Sequence, residues 1–188
     1  MRSKTKTVVG IGLFTAIVLV LQILVGGIKV GGLFSISLVL VPIVVGAAVY
    51  GIGAGAWLGF SFGIAVLLSG DAAAFLAVDV AGTILTVLVK GIGCGLVAAL
   101  VYKAFAKHKT LGVVMAAISC PIVNTGIFLV GCNLFFYDTV AQWGAQLGFA
   151  NAADYMIFGL AGINFLVELA TNILLAPVII RLIKLGNK

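Results

Sequence analysis

The sequence predicts an all-α integral membrane protein, a bundle of six transmembrane helices with both termini on the cytoplasmic side. Three observations predict it. Apolar residues make up 63% of the 188 positions and charged residues only 9%, against roughly a quarter charged in a soluble domain. The apolar residues fall in long runs, and crossing a hydrocarbon core of about 30 Å takes about 20 of them per helix. Basic residues gather where those runs end. The chain has room for six crossings with short loops and little else, so residues 1–188 read as a single membrane domain.

The spans follow from the apolar runs and their punctuation. The first runs from Val8 to Val25 and ends at Gly26-Gly27. It is too long for a signal-peptide core and lacks a small-residue cleavage site, so it reads as a retained helix. A short segment with Lys29 and Gly31-Gly32 leads to the second span, Ile36 to Tyr50, which contains Pro42. A tight turn at Gly51 opens the third, Gly53 to Leu68. After a segment carrying Asp71 and Asp79 come the fourth, Ala81 to Ala106, and the fifth, Leu111 to Phe136. A longer segment with Asp138, Gln142, Trp143 and Asp154 precedes the sixth, Tyr155 to Ile183.

Charge sets the orientation. Nine of the eleven basic residues form three clusters: Arg2, Lys4 and Lys6; Lys103, Lys107 and Lys109; Arg181, Lys184 and Lys188. With six crossings all three fall on one side, as the positive-inside bias requires, and the four aspartates fall on the other. The net charge of +6 therefore reads as topology. It does not read as a nucleic-acid face, which would interleave aromatic or polar partners with the charges.

Small residues tell how the helices meet. Without a hydrophobic drive in lipid, packing relies on close backbone approach. Gly51, Gly55, Gly59 and Gly63 form one stripe on the third span, and Gly91 with Gly95 another on the fourth. Both are expected to be packing seams. Cys94, Cys120 and Cys132 fit no metal or redox spacing and read as small buried hydrophobes.

An ionisable residue at membrane depth is costly and marks a functional site by default. Lys90 in the fourth span and Glu168 in the sixth are the two. Asn164, Glu168 and Asn172 are spaced by four, hence share one helix face. Asn124 and Asn133 lie on the fifth span. Two readings stand side by side. In one, Lys90 and Glu168 pair and the amides hold helices together. In the other, Lys90, Asn124, Asn133, Asn164, Glu168 and Asn172 line a pocket open to the outside, built from the last three spans and covered by the outer segments. The first three spans hold only Gln22 and a few hydroxyls, and this one-sidedness favours the pocket. Amides both donate and accept, and Lys90 suits a carboxylate or phosphate.

Enzyme readings find no support: no nucleophile–histidine, zinc-binding or phosphate-loop arrangement is present, and the single histidine, His108, sits in a basic loop. No cofactor or metal is expected, and any ATP hydrolysis belongs to another polypeptide. A stand-alone carrier or channel coupled to ions through Glu168 is the alternative, though no internal repeat of the kind common in carriers is evident.

Across essentially its whole length the chain resembles the S components of energy-coupling factor (ECF) transporters. The resemblance rests on size, six spans, the basic N-terminus leading into Gly12-Leu-Phe-Thr-Ala-Ile-Val-Leu-Val-Leu-Gln22, and Ile36-Ser-Leu-Val-Leu-Val-Pro-Ile-Val-Val-Gly-Ala-Ala-Val-Tyr-Gly51 before the glycine-rich third span. It implies a bacterial cell-membrane protein that captures a water-soluble vitamin from outside and delivers it inward. The implied partners are a membrane scaffold subunit and two cytoplasmic ATPases. It also implies a scaffold interface on the first span through an Ala-x-x-x-Ala motif. Here Gly12, Ala16 and Val20 take that place, with glycine for the first alanine. Among vitamins, pantothenate fits Lys90 and the amides best, and folate is possible.

Overall fold

Backbone groups inside lipid are satisfied only if each span closes its own hydrogen bonds, and the computed structural model is helical through nearly all of its described residues, 4–25, 29–30, 34–35 and 38–186. The helices are α1 (Lys4–Val25), α2 (Leu40–Tyr50), α3 (Ile52–Ser69), α4 (Ala73–Leu76), α5 (Val80–Ala104), α6 (Lys109–Phe135), α7 (Tyr137–Gln146) and α8 (Ala152–Asp154). A π-helical turn over Tyr155–Ala161 then leads into α9 (Gly162–Leu174) and α10 (Ala176–Gly186). Between α1 and α2 a two-residue antiparallel pairing joins β1 (Lys29–Val30) to β2 (Phe34–Ser35), with Lys29 opposite Ser35. Nothing in the apolar pattern signalled this pairing. The expected span end at Gly26-Gly27, the Gly31-Gly32 pair, the span start at Ile36, and Arg2 and Lys188 lie outside the described residues.

Among the described residues, five stretches are long and apolar enough to cross a membrane: Lys4–Leu24, Ile52–Ser69, Val80–Ala104, Lys109–Phe135 and Ala152–Leu174. The expected second span differs. Its described helix, α2, has 11 residues, about 16 Å at 1.5 Å per residue, and is shorter than the hydrocarbon core. Most of α2 is buried, with Leu40, Ile43, Val44 and Val45 at the centre of the main core beside Val18, Leu58, Cys94, Ala116 and Ile179. Pro42 falls in its first turn, where a missing N–H costs no helical bond. Gly51, at φ +90°, ends α2 and turns the chain directly into α3.

The glycine stripes are where the helices touch. A side chain on Gly55 would collide with the Gly95 carbonyl, and one on Gly59 with the Gly91 carbonyl. The reverse clashes occur at Gly91 and Gly95. Thus α3 and α5 meet backbone to backbone. All three cysteines are buried with free thiols.

The sixth span was expected as one helix from Tyr155 to Ile183 and is instead interrupted twice. Pro177 cannot supply an N–H and crowds the carbonyl four residues back, so α9 ends at Leu174 and α10 begins afresh. Upstream, the π-helical turn inserts extra backbone per turn, and Gly162 follows it at φ +26°, in the region L-residues avoid. That junction sets which residues of α9 face inward. Replacing Gly162 by Ala is expected to cost about 1–2 kcal/mol, read as a lowered melting temperature in detergent, with no such loss for Gly126→Ala, where a methyl group meets only open space.

Candidate functional site

The site lies at the end of the bundle remote from Lys103 and Lys109, where α3, α5, α6 and α9 diverge. It is a cavity of about 230 Å³. From α5 come Thr83, Thr86, Val87 and Lys90, which at spacings of three, four and seven share one face. From α6 come Asn124, Thr125 and Phe128, and from α9 Asn164, Phe165 and Glu168. The N-terminal half contributes more than the sequence suggested: Gln22 of α1, Phe62 and Val66 of α3, and Asp71 beyond it.

Four of the six expected pocket residues, Lys90, Asn124, Asn164 and Glu168, therefore share one cavity wall. The other two do not join them there. Asn133 is exposed on the far face of α6. Asn172 is fully buried one turn beyond Glu168, and its Nδ2 donates to the Glu168 carbonyl at 2.9 Å. It supports the Glu168 turn from behind. Gln142 is exposed, while Trp143 is half-buried.

Lys90 sits between two aromatic faces. Its Nζ is 5.5 Å from the ring centroids of both Phe62 and Phe128, within the range of cation–π attraction. Glu168, only 6% exposed, faces the same cavity and supplies the opposite charge. These contacts leave the ammonium in a partly aromatic cage, where an anionic ligand group gains a strong, weakly screened interaction. On the same lining, Asn124 Oδ1 and Thr86 Oγ1 are buried and have no hydrogen-bond partner among the described residues. Buried polar atoms are nearly always partnered, so these two lining atoms are open to hydrogen bonds from whatever fills the cavity, while a third unpartnered atom, Asn172 Oδ1, lies outside its lining.

The cavity has a roof. Phe75, on the single-turn helix α4, packs edge-on against Phe128, Phe136 and Trp143 at centroid distances of 5.7, 5.0 and 5.4 Å. This cluster ties α4 to α6 and α7, and beneath α7 a small core of Cys132, Phe136, Val140, Ala152 and Met156 anchors the cap. Phe75→Ala is expected to weaken ligand binding about tenfold, since aromatic contacts add about 0.5–1.5 kcal/mol beyond buried area, and to do so mainly by speeding release. Stopped-flow dissociation of bound ligand measures it.

A polar link closes the α1 side. Gln22, 4% exposed, donates through Nε2 to the Asp71 carboxylate and to Ser69 Oγ. It joins α1 to the segment leading into the roof. Asp79, by contrast, caps α5, accepting from the Ala81 N–H at 3.0 Å. Of these two aspartates, only Asp71 lines the cavity. The opposite face of α1 presents Gly12, Ala16 and Val20 to the exterior, while Trp57 Nε1 donates to Thr15 Oγ1 at 3.0 Å to hold its inner face to α3.

The family model for the substrate-specific component of ECF transporters matches residues 6–180. No curated protein and no solved structure matches the chain.

Proposed function

The chain belongs to the substrate-specific components of ECF transporters, and from that we propose that its cavity captures a water-soluble vitamin from outside the cell. The family makes it a multi-pass membrane subunit that binds substrate and works with ECF scaffold and ATPase subunits, a role that requires no catalytic group of its own. The observation that carries the pocket assignment is the shared wall of Lys90, Asn124, Asn164 and Glu168, with two orphaned polar atoms among the lining residues. Asn172 acts behind Glu168, and Asn133 remains in this reading only as an outer-face residue.

Three finer points complete the proposal. Counting α2 as a sixth crossing puts both termini and all three basic clusters in the cytoplasm and opens the cavity outward, in a bacterial cell membrane. Gly12, Ala16 and Val20 form the scaffold interface, because a smooth, exposed, small-residue face suits reversible packing in lipid. Pantothenate is the ligand favoured. Its carboxylate suits Lys90, its hydroxyls suit Glu168 and Asp71, its amide suits Asn124 and Thr86, and its methyl groups suit the phenylalanines. A cavity of about 230 Å³ is small beside the usual 300–1,000 Å³, which disfavours the larger folate.

The rival is a lone carrier driven by an ion gradient through Glu168, a reading supported by a buried carboxylate within a span. Proteoliposomes separate the two. The chain alone should bind vitamin without accumulating it under any proton or sodium gradient, and should support uptake only with its scaffold, ATPases and ATP. Gradient-driven accumulation by the chain alone would refute the capture role.

A further inference from the structure

A second cavity, of about 400 Å³, lies at the basic end of the bundle, between the α2–α3 and α5–α6 turns. Its floor includes Ala47, Ala48 and Ala99, and its rim carries Tyr102, Lys103 and Lys109. Lys103 is thirteen residues along α5 from Lys90, about 20 Å at the helical rise, so the two cavities are distinct. The positive-inside bias accounts for lysines at this level but not for a trough beside them. Short alanine side chains leave that trough, apolar along its floor and opening at the boundary where two ammoniums and a phenol stand. None of the five acidic side chains lies here: four belong to segments at the other end of α5, and Glu168 faces the first cavity. The charge at the rim thus calls for an anion from outside the chain, and the floor calls for a hydrocarbon.

We infer that this trough binds one anionic phospholipid, its phosphate held by Lys103, Lys109 and the Tyr102 hydroxyl and an acyl chain laid over Ala47, Ala48 and Ala99. Basic pockets between helices at the membrane surface select such headgroups, and a zwitterionic lipid brings its own ammonium, which competes with the lysines. The site is independent of which vitamin fills the first cavity.

Native mass spectrometry of the detergent-purified full chain tests it, titrating dioctanoyl phosphatidylglycerol, dioctanoyl phosphatidylcholine and inorganic phosphate separately. One phosphatidylglycerol should bind at least about tenfold more tightly than phosphatidylcholine, and phosphate alone should not compete. Lys103→Gln with Lys109→Gln should erase that preference, while Lys4→Gln with Arg181→Gln, which removes equal charge elsewhere, should keep it. Ala48→Trp should block the acyl trough and weaken both lipids. Equal binding of the two lipids, equal competition by phosphate, or equal effects of the two double variants would overturn the site. So would a Lys103→Gln, Lys109→Gln protein that keeps its lipid preference but no longer assembles with scaffold and ATPases, since the groove would then serve a protein partner.

Discussion

Replacing Lys90 by Met is expected to weaken ligand binding at least about 100-fold while leaving a folded protein. Among the described residues the ammonium is the single cation lining the first cavity, and it stands between Phe62 and Phe128 with Glu168 on the same lining. Removing one partner of a buried charge interaction costs about 3–5 kcal/mol, and about 2.7 kcal/mol already corresponds to 100-fold in affinity. Met keeps the length and apolar bulk of the lysine stem, so the phenylalanines stay packed. Part of the cost falls on the unliganded protein, because Glu168 loses its opposing charge. Glu168→Gln in the same chain should restore thermal stability toward the parent value without restoring binding. If Lys90 only held helices together, Lys90→Met would lower the melting temperature and leave the dissociation constant within about twofold. Isothermal titration and thermal denaturation of both variants separate the cases.

Gly59→Val is expected to be the most damaging single change to the bundle, costing at least about 3 kcal/mol. A Cβ there meets the Gly91 carbonyl, which belongs to another helix's backbone and cannot rotate away. Overpacking a well-filled interior typically costs about 1–3 kcal/mol when side chains can yield, and here a whole helix must shift. Because α5 carries Lys90 and Thr86, the same shift should disturb the cavity, and ligand binding should fall with stability. Gly53→Val, on the open face of α3 with no atom near the added group, should cost only the modest helix propensity of a β-branched residue. Unfolding in detergent with increasing denaturant measures both. Equal losses at the two positions would mean that the α3–α5 seam is not held by backbone contact.

Much of this arrangement was written in the spacing of residues. Apolar runs placed α3, α5 and α6 within a few residues of their ends, and the glycine stripes marked a packing face on α3 and another on α5, which the structure brings together. Ionisable and amide residues inside apolar runs pointed to Lys90, Asn124, Asn164 and Glu168 because their burial is costly anywhere in a membrane. The helical period could have gone further. Asn133 follows Asn124 by nine positions, which at about 100° per residue is half a turn away, so the two cannot share a wall. By the same period Thr83, Thr86 and Val87 belong with Lys90, and Phe165 with Glu168.

Other features had no local signal. Gln22 and Asp71 are 49 residues apart and meet only because α1 packs on α3. Phe62 and Phe75 are indistinguishable by sequence from phenylalanines that face lipid, whereas Phe128, four residues after Asn124, shares its face. The π-helical turn has no such signal either, since an apolar run is compatible with a straight helix as well, whereas the break at Leu175 follows from Pro177 itself.

The most direct measurement of vitamin capture is a thermal-stability screen of the detergent-purified chain against water-soluble vitamins and their precursors. A ligand at 100 times its dissociation constant adds about 2.7 kcal/mol to the folded state. The prediction is a large upward shift with one compound, pantothenate first, that disappears in the Lys90→Met protein. A folded chain that shifts with none of them, or one whose shift survives Lys90→Met unchanged, would contradict the assignment of this cavity.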